Sequence, residues 1–142
     1  MIHPENATGL EGLAERCERA EGPDRRLDAE IACALRFPNL RPAEPDDFAG
    51  EYGYSPGNIK VPTGFLMSSS YTGSVDAVRT LIDSADEWEL TTLYGVARAA
   101  VGLNRDQKTH WTGYGEHLGG DPVLALLAAA LRARQQEAKD HV

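Results

Sequence analysis

Residues 88–103, WELTTLYGVARAAVGL, predict two neighbouring β-strands joined by a bend. In the first half, Trp88 and Leu90 alternate with Glu89 and Thr91, which is the two-residue period of a strand. The second half, 95–103, is apolar with small side chains, and its alanines would also suit a helix. We predict a strand there, because a β-prone run precedes it and Gly95 indicates a bend or bulge.

Helical patterns lie on both sides of this pair, at 8–21, 24–36, from Ser74 to about 84, and at 121–138. Thr8 with Glu11 three residues later is a capping-box pattern, and Asp121 followed by proline is typical of a helix start. The last helix has an apolar stripe of Leu124, Leu127, Ala128 and Leu131. The sequence therefore predicts an α/β (α+β) fold, with helices packed around a small central, mostly antiparallel β-sheet as an αβα sandwich.

Two segments interrupt the periodic patterns. Residues 38–64 hold five of the eight prolines and predict a Pro/Gly-rich loop, with a short strand near 58–61. Residues 104–120 are polar, aromatic and rich in glycine, and they predict a second loop. No shift in composition divides the chain, so residues 1–142 are expected to form a single domain.

The composition excludes several classes of protein. The 142 residues carry 14 basic and 22 acidic side chains, a net charge of −8, which argues against non-specific binding of nucleic acid. No apolar run approaches the roughly 18 residues of a membrane span, and residues 1–6 lack a secretory pattern, which predicts a cytoplasmic location. Cys17 and Cys33 fall on apolar helix stripes and are expected to be small buried hydrophobes.

Three motifs, in the same order along the chain, resemble one family. They are GPDRRLDAEIA at 22–32, YTGSVDAV at 71–78 and DPVLALLAAALRAR at 121–134. Together they are similar to the phage ABA sandwich domain family of small proteins from phages and prophage-bearing bacteria, over roughly residues 10–137. The resemblance implies a sheet between helical layers and a cytoplasmic location in the host cell, and it implies no catalytic residues.

The second predicted loop carries the residues best suited to binding. Trp111 and Tyr114 would serve as rigid aromatic contacts for a ligand or partner. Arg98, Arg105 and Lys108 would donate hydrogen bonds to an anion. His110 and His117 complete this set, but their spacing matches no zinc motif, so we predict neither a metal nor a cofactor. A loop whose aromatics only cover a sheet edge is the alternative.

Other polar clusters are explained more simply by structure than by chemistry. Tyr71 and Ser74 stand at a helix start that could bind an anion, although Ser74 would equally cap its own helix. Ser68 to Ser70 lack the context of a nucleophile, and the acidic residues at 83–89 are typical of a solvated face. We predict no catalytic residues and no enzyme activity.

The leading functional hypothesis is a small phage or prophage accessory protein that acts by binding, including a counter-defence role. Its partner would be a small ligand such as a nucleotide-like molecule, or a host or phage protein contacted through the acidic surfaces at 44–51 and 83–89. The alternative is a structural or assembly protein of the particle. In that case the apolar, Ala-rich final helix would form a homodimer seam.

Overall fold

The computed structural model describes residues 4–48, 54–83, 86–105 and 108–140, and it describes side chains for 9–48, 54–83, 86–103 and 108–139. The elements in chain order are α1 (Pro4–Arg19), α2 (Arg25–Leu35), β1 (Arg41–Pro42), a 3₁₀ turn (Pro45–Asp47), β2 (Asn58–Val61), β3 (Gly64–Met67), α3 (Val75–Arg79), β4 (Asp86–Leu93), β5 (Val96–Arg105), β6 (Lys108–His117) and α4 (Pro122–Asp140).

The six strands form two three-stranded sheets in which every neighbouring pair is antiparallel. The smaller sheet has the order β1–β2–β3, and α2 packs against it. The larger sheet is the meander β4–β5–β6, which packs against α4, and α1 packs on α4 in turn. The predicted α+β class, with helices packed against antiparallel strands, is confirmed.

The hairpin between β4 and β5 is the one that residues 88–103 predict. Leu93 pairs with Val96 across a two-residue loop, and both loop residues have positive φ, 53° at Tyr94 and 78° at Gly95. Positive φ at both positions defines a type I′ turn, whose twist matches that of the strands it joins. Gly95 adopts this conformation without steric cost, so the predicted bend at Gly95 and the strand choice for 95–103 are both confirmed.

Helix α4 forms the centre of the core. The Asp121 carboxylate accepts hydrogen bonds from the backbone N–H groups of Val123 and Leu124 at 3.0 and 3.2 Å, so the predicted N-cap is confirmed. Every residue from Leu124 to Leu131 is buried, because the larger sheet covers one side of α4 and α1 covers another. The predicted homodimer seam on this helix is wrong, since its own chain already occupies the Ala-rich surface.

The prediction of a loop at 104–120 is also wrong, because most of that segment is strand β6. Gly113 and Gly115 suggested a turn, but their role is close packing. A Cβ atom on Gly113 would collide with the Ala129 carbonyl, and one on Gly115 with the Ala125 carbonyl. Glycine is therefore required where β6 crosses α4, and at these two positions it does not indicate a turn.

The bounds of other elements differ from the predicted bounds by a few residues. Helix α1 begins at Pro4, which suits the first turn of a helix, so the predicted cap at Thr8 is wrong. Helix α3 keeps the predicted Ser74 cap but ends at Arg79, before the predicted end near 84, which itself lies outside the described residues. The segment 38–64 holds the predicted strand at 58–61 as β2, together with β1 and the 3₁₀ turn.

Both cysteines are buried free thiols, as predicted. Burial raises the pKa of Cys17 to about 12. A thiol with this pKa stays protonated at neutral pH and is inert as a nucleophile.

Candidate functional site

The candidate site is the face of the larger sheet that points away from α4, which we call the open face. Strand register places Glu87, Gly102 and Trp111 in one row across this face, Glu89, Ala100 and Tyr114 in the next, and Thr91, Arg98 and Glu116 in the third. No helix in the described ranges packs against the open face, and the Tyr114 side chain is 61% exposed. Ala100 is nevertheless buried, because the longer side chains around it cover the middle of β5.

Polar side-chain contacts between strands lie at both ends of the open face. At one end, the Thr109 hydroxyl donates to the Glu87 carboxylate, so the Glu87 side chain crosses β5 beside Gly102. At the other end, Arg98 Nε donates to Glu116 Oε2 at 2.8 Å. Glu89 and Tyr114 stand between these contacts on opposite sides of Ala100. The open face therefore combines carboxylates with aromatic rings, and its guanidinium at Arg98 already has an anionic partner.

The structure brings together only part of the predicted set. Arg98, Trp111 and Tyr114 share the open face, while the register turns His110 to the opposite face, beside Leu103. Lys108 is exposed at the start of β6, and the Arg105 side chain lies outside the described residues. Their role in binding stays a prediction.

His117 connects two helices. Its Nδ1 accepts a hydrogen bond from the Asp121 N–H at 3.0 Å, so the proton is on Nε2, which donates to the Ala20 carbonyl at 2.6 Å. The ring is buried, and both nitrogens are engaged. The imidazole thus ties the residue after α1 to the residue before α4.

Tyr71 and Ser74 lie outside the larger sheet and have structural contacts. Tyr71 is buried, and the next N–H, of Thr72, donates to the buried Asp28 carboxylate at 2.7 Å. The Ser74 hydroxyl accepts from the Ala77 N–H at 3.3 Å, as a cap does. The capping interpretation accounts for this hydroxyl without a ligand.

No family model, curated protein or solved structure matches this chain. The resemblance to the phage ABA sandwich domain family accordingly stays a prediction. Within the described ranges, no group of three or more His, Cys, Asp or Glu side chains is placed to hold a metal ion. None of the described helices is long and apolar enough to cross a membrane.

The two outer edges of the larger sheet differ in their hydrogen bonding. On β6, the outward Tyr114 carbonyl accepts from Arg132 at 2.9 Å, and the outward Glu116 N–H donates to the Glu18 carboxylate at 2.8 Å. Arg132 also forms an ion pair with Glu18 at 2.7 Å. Side chains of α1 and α4 thus occupy the β6 edge.

These contacts shift the acid–base equilibria of the pair. Burial disfavours the Glu18 carboxylate, but the hydrogen bonds from Arg132 and from the Glu116 N–H outweigh it and lower the pKa of Glu18 below its ordinary value of 4.5. The hydrogen bond with Glu18 raises the pKa of Arg132. Both groups are therefore charged at neutral pH.

On β4, the outward backbone groups belong to Trp88, Leu90 and Thr92. Leu93 and Val96 flank a two-residue turn, and the backbone N–H of each donates to the carbonyl of the other. Hydrogen-bonded and non-hydrogen-bonded pairs alternate in an antiparallel ladder, so the backbone groups of every second residue of β4, counted back from Thr92, point away from β5. Within the described ranges, these three residues have no hydrogen bond on their outward side. The sequence pattern signalled this strand, but only the structure shows that its edge is open.

Proposed function

We propose that the protein acts by binding, and that its partner is a protein segment rich in lysine or arginine. The observation that carries this proposal is the placement of Glu89 and Tyr114 on either side of the buried Ala100, on a sheet face that no described helix covers. Carboxylates attract a cationic head group, and an aromatic ring favours both the cation and its aliphatic stem.

The same contacts disfavour the nucleotide-like ligand. A phosphate needs uncommitted donors, but Arg98 is already bonded to Glu116, and carboxylates stand at 87 and 89. The net charge of −8 would also repel an anionic ligand and would steer a basic partner toward the protein. The resemblance to the phage family adds the proposal that this partner is a host or phage protein met in the host cytoplasm, with a counter-defence role included.

The test is calorimetric titration of the protein with a ten-residue peptide of alternating lysine and valine. We expect binding that weakens steeply as salt rises, because exposed charges are screened. Glu89→Lys should weaken binding about tenfold, since an attraction becomes a repulsion. The matched control is Glu15→Lys, which changes an exposed residue of α1 by the same charge and should have a much smaller effect.

Equal losses in the two variants would contradict the proposal, because they would show that net charge alone attracts the peptide. No binding at low salt would contradict it more directly.

A role in particle assembly is the second candidate, and an exposed apolar patch on the smaller sheet favours it. The Phe48 ring stacks on Phe65, with ring centroids 4.4 Å apart, and it meets Tyr54 edge-on at 5.8 Å. Met67 on β3 is 77% exposed. Contiguous exposed apolar patches mark interaction sites. Sedimentation that shows self-association in the wild type and none in Met67→Asp would favour this role.

A further inference from the structure

We infer that the basic partner segment binds as an added β-strand along the open edge of β4. This inference rests on the proposed function and specifies the binding mode of the partner segment. The observation behind it is the row of outward backbone groups at Trp88, Leu90 and Thr92, which have no hydrogen bond on that side in the described ranges. Such a row is a template for another extended chain.

On the opposite edge of the same sheet, by contrast, the protein's own side chains already bond to part of the backbone. On β6, Arg132 and Glu18 occupy outward backbone groups. A strand approaching that side would have to displace an ion-paired cluster in which Arg132 also bonds to Glu11 at 3.0 Å. Among the residues that the structure describes, none would compete with an incoming chain for the outward groups of Trp88, Leu90 or Thr92.

Side chains of an added strand would alternate between two surroundings. On one side they would lie beside Glu89, at the rim of the open face. On the other side they would enter a cleft of about 420 Å³ between α3 and the start of β4. The described residues that line this cleft are three carboxylates, one guanidinium, a hydroxyl, Ile82 and Trp88: Asp76, Asp83, Asp86, Arg79, Thr80, Ile82 and Trp88.

The carboxylates beside the open edge of β4 favour a basic partner segment there. Among the described residues that line the cleft, carboxylates outnumber guanidinium groups three to one, and the indole of Trp88, which is 39% exposed, offers a face to a lysine or arginine. A second copy of the chain would instead bring another net charge of −8 and a second pair of Glu87 and Glu89 to the same strand. Like charges on facing strands are destabilising, so a second copy is the disfavoured occupant.

The experiment separates strand addition from simple charge contact. The alternating lysine–valine peptide is compared with two forms of itself, one N-methylated at three lysines and the other at three valines. Methylation removes N–H donors but keeps every charge. In an added strand only alternate N–H groups face β4, so one methylated form should bind at least about tenfold more weakly and the other nearly as well as the parent.

A protein variant gives an independent readout. Thr92→Pro removes one outward N–H from an edge strand, where proline is tolerated, and Thr92→Ala keeps it. We expect Thr92→Pro to weaken binding several-fold and Thr92→Ala to leave it nearly unchanged.

The outcomes distinguish this inference from the proposed function. If both methylated peptides bind like the parent, strand addition is wrong while the proposed binding of a basic segment stands. If the parent peptide does not bind at low salt, both are wrong. A dimer in sedimentation that Thr92→Pro abolishes would assign the edge to a second copy and overturn the inference.

Discussion

The two edges of the larger sheet both have backbone N–H and C=O groups that point outward, but the two edges differ in whether side chains bond to these groups. At β6, an arginine from α4 and a glutamate from α1 bond to the outward carbonyl of Tyr114 and the outward N–H of Glu116. At β4, the outward groups of Trp88 and Leu90 have no such partner in the described ranges. Natural proteins usually protect their edge strands, so an edge left open beside a protected one indicates a site of use.

The largest expected effect comes from separating β6 from α4. Gly115→Ala would push a methyl group into the Ala125 carbonyl, where backbone meets backbone and neither can yield easily. We expect a loss of at least about 3 kcal/mol in the free energy of unfolding, measured by urea denaturation. Gly12→Ala at an exposed position of α1 has open space for its Cβ and should instead stabilise the protein by about 0.5–1 kcal/mol. Similar losses in both variants would refute the packing argument.

Removing the side chain that protects β6 should have the next largest effect. Arg132→Ala leaves Glu11, Glu18 and the Tyr114 carbonyl without their shared partner. Because the group is only partly buried, we expect a loss of about 2 kcal/mol. Arg98→Ala removes an exposed ion pair and should cost about 0.5 kcal/mol or less. If the two variants lost equal stability, the contacts at the β6 edge would be no stronger than an ordinary surface pair.

The β6 edge should also weaken in acid. The pKa of Glu18 is lowered in the folded protein, so its contribution to stability is complete above its ordinary value of 4.5 and is lost as the pH falls through the folded pKa. Glu18→Gln should be less stable than wild type by about 1 kcal/mol at pH 7, and the difference should shrink toward pH 3. Urea denaturation at the two pH values measures this difference. A difference that stays constant would contradict the assignment.

The smallest effect on stability is expected at β4. Glu89 is exposed, so Glu89→Lys should change the free energy of unfolding by no more than about 0.5 kcal/mol while it weakens peptide binding. Thermal unfolding of the free protein checks the first part. A large loss of stability would mean that Glu89 supports the fold and would remove the basis for its role in binding.

The structural features that the sequence predicts correctly are those determined by residues close together in the chain. The alternation through Trp88 and Leu90, the turn at Gly95 and the carboxylate cap at Asp121 each depend on a few neighbouring residues. Strand β6 could not be predicted in this way, because its glycines are required by α4, a contact that forms only in the folded chain. A glycine needed for close packing and a glycine needed for a turn look alike in a sequence.

The same distinction applies to the candidate site. The sequence singled out Trp111 and Tyr114 as aromatic contacts, and the register places both on the open face. It could not show that His110 points to the other face, because a one-residue step along a strand reverses the side chain. Nor could it show that the acidic residues before and within β4 flank an open edge, because the positions of α1 and α4 relative to the sheet are set only by tertiary packing.

Amide hydrogen exchange tests the contrast between the two edges most directly. In the free protein, we expect the outward amides of Leu90 and Thr92 to exchange rapidly and the amide of Glu116, bonded to Glu18, to exchange slowly. The lysine–valine peptide should then slow exchange at Leu90 and Thr92 and leave Glu116 unchanged. Slow exchange at Leu90 in the free protein, or protection by the peptide at Glu116 alone, would contradict the account.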